Sequence, residues 1–269
     1  MESTGCRRRP SRGIPLRFLG VVARLSFAAF LASLAVGLVA SFGTRLEFWG
    51  WRFGLLTLFP WCVYLGIAAF AFGLVWALGA FFSNSDDGAR YGVIGLVGAI
   101  AVIAVPLYDV AQSANQPPIH DISTDNEHAP EFVALLNQRP GAENSPDYDG
   151  ARKVEFKDKS ASVSALQHKY YEDIHADAIL TSPEKLFKRA VTAAYAMGWN
   201  IVAVAPDEGR LEATDTSFFF GFTDDIVIRV KPAGMGARLD IRSESRVGTS
   251  DWGRNAARIR AYMKRLATT

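Results

Sequence analysis

Three long stretches without a charged side chain fill most of the first 110 residues and limit what this chain can become. Residues 25–44 read LSFAAFLASLAVGLVASFGT, residues 53–85 are also uncharged, and residues 91–108 read YGVIGLVGAIAVIAVPLY. A helix rises about 1.5 Å per residue, so about 20 apolar residues match a hydrocarbon core of about 30 Å. The runs therefore predict membrane-spanning helices near residues 18–43, 54–82 and 91–110. Phe48, Trp49 and Trp51 precede the second run, and Tyr91 and Tyr108 bracket the third, as an interfacial aromatic belt requires. The first run is longer than a signal-peptide core, shows no small-x-small cleavage site, and is followed by two more spans. It is expected to be retained.

Orientation follows from the basic residues. Arg7, Arg8, Arg9, Arg12 and Arg17 precede the first span, and Arg90 lies between the second and third. The opposite side offers Arg45 and Arg52, then no Lys or Arg from 107 until Arg139. The positive-inside rule predicts a cytoplasmic N-terminus, and three crossings place the C-terminal part outside the cytoplasm, in the periplasm of a bacterial inner-membrane protein. Arg24 is expected to snorkel to the interface, and Asp109 sits at the far end of the third span. With no acid, Lys or His in mid-span there is no sign of an ion or proton path, which argues for an anchor rather than a transporter. Ala29, Ser33, Gly37 and Ser41 recur every four residues, a seam that lets another helix approach, with Gly66 and Gly73 as candidate facing positions.

The remainder of the chain is different in kind. Residues 111–269 carry 20 Lys and Arg against 22 Asp and Glu, so the half that reads as soluble lacks the basic excess that phosphate binding demands. Nucleic acid is not an expected partner. Cys6 and Cys62 fall on opposite sides of the first span and are not expected to pair, and neither decides the redox compartment.

Residues 111–118 (AQSANQPP) read as a tether before a domain at 119–269. Residues 119–170 show no sustained period, with short helices expected near 130–136 and 159–171. From 174 the pattern sharpens. A strand at 174–180 precedes a helix with Ser182 as N-cap, Pro183 at its first position, a stripe of Leu186, Phe187, Ala190, Val191 and Ala194, and Gly198 at its end. Strands follow at 199–205 and 210–216 around the turn Pro206-Asp207-Glu208-Gly209, then at 218–230 with an interruption near Gly221. Between 238 and 247, Arg238, Asp240, Arg242, Glu244 and Arg246 alternate with Leu239, Ile241, Ser243, Ser245 and Val247. This predicts one charged, wet face and one covered face. Asp251 or Gly253 opens a last helix with Ala256, Ile259, Met263 and Leu266 inward. The order β-α-β-β-β-β-α gives an α+β fold: three N-terminal transmembrane helices, then an antiparallel sheet packed by two helices, a helix-grip-like two-layer sandwich.

Four segments carry a resemblance: PPIHDISTD (117–125), MGWNIVA (197–203), GRLEATDTSFFFGFTDDIVIRV (209–230) and RLDIRSESRVGTSDWGRNAARIRAYM (238–263). Together they resemble the family catalogued as domain of unknown function 1499, from about residue 117 to the end. The resemblance implies a fold and a membrane-tethered setting, not an activity.

Three groups of residues are candidates for chemistry or binding. His120, Asp121 and Asp125, with His128 nearby, are the nearest approach to an acid–base cluster, though their spacing fits no metal motif and local turns explain such residues equally well. Asp224 and Asp225 are placed to meet Arg242 and Arg246 across a meander, either as ligand-binding pairs or as ordinary cross-strand pairs. Phe218, Phe219, Phe220 and Phe222 put four aromatics in five residues, more than one strand face holds. They predict either a doubly covered strand with a bulge at Gly221 or an apolar edge facing a ligand or the bilayer. No G-x-S-x-G elbow surrounds Ser217, Ser243 or Ser245. The balance is against an enzyme and implies neither cofactor nor metal. The expected role is a membrane-anchored envelope protein whose domain binds a partner protein or an apolar ligand. The alternatives are a hydrolase built on His120, Asp121 and Asp125, or an accessory subunit of a larger membrane complex using the small-residue seam.

Overall fold

The computed structural model describes residues 16–176 and 178–269. Arg7, Arg8, Arg9, Arg12 and Cys6 lie outside the described residues, as does Asp177 within the expected strand at 174–180. The chain forms two compact units, Met1–Asp109 and Val110–Thr269.

The first unit contains helices long and apolar enough to cross a membrane. These are α1 (Leu16–Arg45), α2 (Phe59–Ser83) led in by a π-helical turn at Phe53–Leu58, and α3 (Ala89–Ser113), whose last residues belong to the second unit. Small residues bring α1 and α2 together. The Ser33 hydroxyl donates to the Cys62 carbonyl at 2.7 Å, and Ser26 donates to the Ala69 carbonyl at 2.8 Å. A Cβ on Gly37 would stand 3.0 Å from Cys62 Sγ, so a side chain there requires Cys62 to give way by a few tenths of an ångström. Gly66 faces this seam, since a Cβ there would come within 3.6 Å of Ser33 Oγ, whereas a Cβ on Gly73 would meet Leu96 of α3 and Ser26, outside the expected four positions. Part of the seam is thus occupied within the chain itself. Helix α3 runs on to Ser113, so the first residues of the expected tether are helical, and the Ser113 hydroxyl returns to the Val110 carbonyl.

In the second unit, the strand order is β1-β8-β7-β6-β5, all neighbours antiparallel, with β4 beside the first part of β8. The strands are β1 (Asp121–Ser123), β4 (Ala178–Ile179), β5 (Asn200–Ala205), β6 (Arg210–Thr216), β7 (Thr223–Ala233) and β8 (Gly236–Ser245), while β2 (Lys153–Phe156) and β3 (Lys159–Ser162) form a separate hairpin. From β4 onward the order is the one the periodicity predicts. Helix α5 (Pro183–Ala196) is capped by the Ser182 hydroxyl, which accepts from the Lys185 N–H, and Gly198 leaves it at φ +77°. Helix α6 (Arg254–Thr268) starts where the Asp251 carboxylate accepts from the N–H groups of Gly253 and Asn255, both at 2.8 Å. Helix α4 (Val163–Tyr170) is capped by the Ser162 hydroxyl.

The core lies between these helices and one sheet face, where Leu211, Ala213, Ile226, Ile228, Leu239 and Ile241 meet Leu186, Phe187, Ala190, Ile259 and Leu266. Each large side chain buried there contributes about 1.5–3 kcal/mol. Trp199 stacks on Tyr262 with ring centroids 5.2 Å apart.

The other sheet face corrects the sequence-based expectation. The charged face of β8 is not wet: Asp240, Arg242 and Glu244 are buried, as are Glu212 of β6 and Asp225 of β7. A strap of irregular chain between β1 and β2, residues 124–152, covers them. Its Phe132 and Leu135 close a second small apolar cluster with Val227. The expected helix near 130–136 is a single 3-10 turn, Leu135–Gln138, and the expected helix at 159–171 begins only at Val163 because the preceding residues pair in the hairpin. Among the described residues, the expected strand at 174–180 is reduced to Ala178–Ile179.

Candidate functional site

Alternation along each strand decides which charges share the strap-covered face. Asp225 of β7 stands opposite Glu244 of β8, and Asp121 of β1 also stands opposite Glu244, so three carboxylates are in register across three strands. Three guanidinium groups hold them. Arg242 reaches both Asp121 oxygens, from Nε at 2.9 Å and from Nη2 at 2.8 Å, and donates to the Pro146 carbonyl of the strap at 2.8 Å. Arg139, from the strap, binds both Asp225 and Glu244. Arg246 grips Asp225 at 2.7 Å. Phe132 lies under the Arg242 guanidinium at 4.7 Å and Tyr148 at 5.4 Å, so aromatic faces complete its shell. Burial raises the carboxyl pKa of Asp121 and Asp225 against their arginines, and burial with the Asp121 charge pushes Glu244 up to about 8.

Glu212 fixes the strap further along. Its two oxygens accept N–H bonds from Val133, Ala134 and Leu135 at 2.8–3.1 Å, capping the 3-10 turn from across the sheet. Asp240 binds Arg229 and Arg238, and both arginines also reach Asp125.

The expected pairing of Asp224 and Asp225 with Arg242 and Arg246 holds in one of its pairs. Asp225 meets Arg246, but Arg242 turns to Asp121. Asp224, one residue earlier, points to the helix side and meets Arg258 of α6 at 2.6 Å, with Asp215 on the same guanidinium at 2.9 Å. The partners missed by sequence reasoning are Arg139, Glu212, Glu244 and Arg258. Glu212 and Glu244 sat in a visible strand alternation, but Arg139 lies in the aperiodic strap and carried no signal.

His120, Asp121 and Asp125 do not assemble. His120 and Asp121 line one cleft of about 190 Å³ with Asn144 and Arg152. Asp121 is engaged by Arg242, and Asp125 lies elsewhere, accepting from the His128 N–H at 2.8 Å and pairing with Arg238 and Arg229. Burial raises the Asp125 pKa, but those N–H bonds and arginines outweigh it and leave it low. Arg152 Nη2 stands 3.1 Å from His120 Nε2, while Nδ1 is buried without a hydrogen-bond partner. Burial, then Arg152 and Arg242, lowers the His120 pKa to about 4, so the ring is neutral at pH 7. Among the described residues no group of three or more His, Cys, Asp and Glu side chains is arranged to hold a metal ion.

The aromatic run is not a strand. Residues 217–222 form the turn between β6 and β7, with Phe220 at φ +57° and Gly221 at φ +69°, closed by Ser217 Oγ accepting from the Phe222 N–H at 2.9 Å. Phe218 and Phe219 are 68% and 54% exposed and pack edge to face on each other, while Phe220 stacks on Phe222. The bulged-strand expectation fails because two consecutive left-handed residues reverse the chain.

The family model described as Protein of unknown function (DUF1499) matches residues 121–266, from the first residue of β1 nearly to the end of α6. The chain belongs to this family. The DUF1499 match covers the sheet, the strap, the arginine–carboxylate layer and the aromatic turn, and leaves out the three apolar helices. No curated protein matches the chain.

Proposed function

We propose that this chain is a membrane-anchored, non-catalytic envelope protein. On this proposal three spans hold it in a bacterial inner membrane, and its DUF1499 domain, on the far side from the cytoplasm, binds a partner protein or an apolar ligand. The anchor rests on three helices of sufficient length and apolarity. The orientation rests on the arginines before the first span and on Arg90. The observation that carries the binding role is the exposed aromatic turn at Phe218 and Phe219. In contrast, the carboxylates with arginine partners beneath the strap serve as structural braces, and Asp125 stands apart from His120. A soluble domain rarely leaves adjacent large aromatics on a tight turn without a use for them.

A photo-crosslinking amino acid at position 219 in the full-length protein, irradiated in native membranes, tests this. The expected result is an adduct with a protein or lipid that is absent when the same group is placed at 235, an exposed position on another turn. No adduct at 219 above that of 235 would overturn the binding role.

A further inference from the structure

The aromatic turn shares one end of the domain with the chain that enters from α3. Strands β6 and β7 join at residues 217–222, and β8 leaves the sheet beside them, since the Arg246 N–H donates to the Thr223 carbonyl. The loop that follows carries Trp252, 50% exposed at φ +55°. The entering chain lies against that loop. The Asp251 N–H donates to the Ile119 carbonyl, and Gln116 approaches Gly253 while accepting from the Tyr171 hydroxyl at 2.9 Å. The turn between β7 and β8, with Met235 95% exposed, is at the opposite end, because consecutive hairpin turns alternate ends.

The connection is short. Helix α3 ends at Ser113 and Gln116 is already bound to the domain, and three residues span at most about 11 Å. The apolar stretch of α3 ends at Tyr108, and Asp109 to Ser113 adds about 7.5 Å of helix. The end bearing Phe218, Phe219 and Trp252 is thus the end at which the chain arriving from α3 joins the sheet. Exposed basic residues accompany it: Arg254 beside Trp252, and Lys157, whose ammonium is 3.3 Å from Asn115 Oδ1. Aromatics flanked by basic side chains are the composition that partitions into the headgroup region of a bilayer.

We infer that the occupant of this end is the membrane itself. Phe218, Phe219 and Trp252 insert at the boundary of headgroups and acyl chains, with Lys157 and Arg254 among anionic headgroups, giving the domain a second attachment beside α3. This deepens the proposed binding role by naming the surface's occupant, and it rests on that role.

The test uses the full-length chain with Cys6→Ser and Cys62→Ala, carrying Phe219→Cys labelled with an environment-sensitive dye. It is reconstituted into phosphatidylcholine vesicles with a minor share of phosphatidylglycerol. Trp252→Cys is a second labelled position, and Met235→Cys is the control at the opposite end. The expected result is blue-shifted emission at 219 and 252, quenched by lipids brominated near the top of the acyl chain, with neither effect at 235. Blue-shifted but unquenched emission would mean that a second copy of the chain covers the turn, overturning the bilayer as occupant while leaving a binding surface. Water-like emission at 219 and 252 would overturn the inference, and the crosslinking at 219 separately decides the binding role.

Discussion

Arg242 and Asp121 lie 121 positions apart and form a two-pronged ion pair, Nε to Oδ1 at 2.9 Å and Nη2 to Oδ2 at 2.8 Å, with Arg242 1% exposed. The pair joins β8 to β1, and the same guanidinium holds the strap through the Pro146 carbonyl. Removing one member leaves a buried charge without its counterion. Arg242→Met is therefore expected to destabilise the domain by about 3–5 kcal/mol, while adding Asp121→Leu restores much of the loss. Urea unfolding of the detergent-solubilised protein, followed by tryptophan fluorescence, measures both.

Glu212 is expected to hold the strap more than the sheet. Glu212→Ala removes the acceptor of the Val133, Ala134 and Leu135 N–H groups, at about 1–3 kcal/mol. Hydrogen exchange at these amides should accelerate well ahead of exchange in β7 and β8. Equal acceleration throughout would show that the strap and sheet open as one.

The pH dependence follows from Glu244 and His120. The Glu244 carboxyl, facing Arg139, Arg242, Asp121 and Asp225, moves from 4.5 to about 8 on folding, so the folded state holds the extra proton between those values. Stability from this group falls as pH rises from 4.5 to 8. Burial raises Asp251 from 3.8 to about 6, with the same sign at lower pH. His120 moves from 6.5 to about 4 and has the opposite sign, its contribution rising with pH over that window. The opposing trends overlap below pH 6.5, and above it Glu244 acts without them. The melting temperature should decline between pH 6.5 and 8, and Glu244→Gln should flatten that decline.

The turn at 217–222 separates geometry from surface. Gly221→Ala places a Cβ at φ +69° and should destabilise by about 1–2 kcal/mol. Phe218→Ser, at an exposed position, should change stability by no more than about 0.5 kcal/mol while weakening the crosslink formed from position 219. Thermal melts read alongside crosslinking distinguish the two effects.

Much of this architecture is visible in the residue pattern. The apolar runs, the Ser182–Pro183 cap, the stripe on α5 and the strand order from β4 onward all arise from local periodicity. The buried charge layer does not. Alternation along β8 shows that Arg238, Asp240, Arg242 and Glu244 share a face, but that face is dry only because an aperiodic strap brings Arg139 and Phe132 over it. Those contacts join residues about a hundred positions apart. The aromatic run misled for the opposite reason. Its composition favours a strand, but Phe220 and Gly221 adopt left-handed backbone and Ser217 closes the turn.

The most direct measurement of the central claim, a domain displayed outside the cytoplasm on a three-span anchor, is accessibility of a single cysteine at Met235 in spheroplasts. Met235→Cys, in the chain with Cys6→Ser and Cys62→Ala, should react with a membrane-impermeant maleimide before lysis, to the same extent as after it. Reaction only after lysis would place the domain in the cytoplasm and contradict the claim.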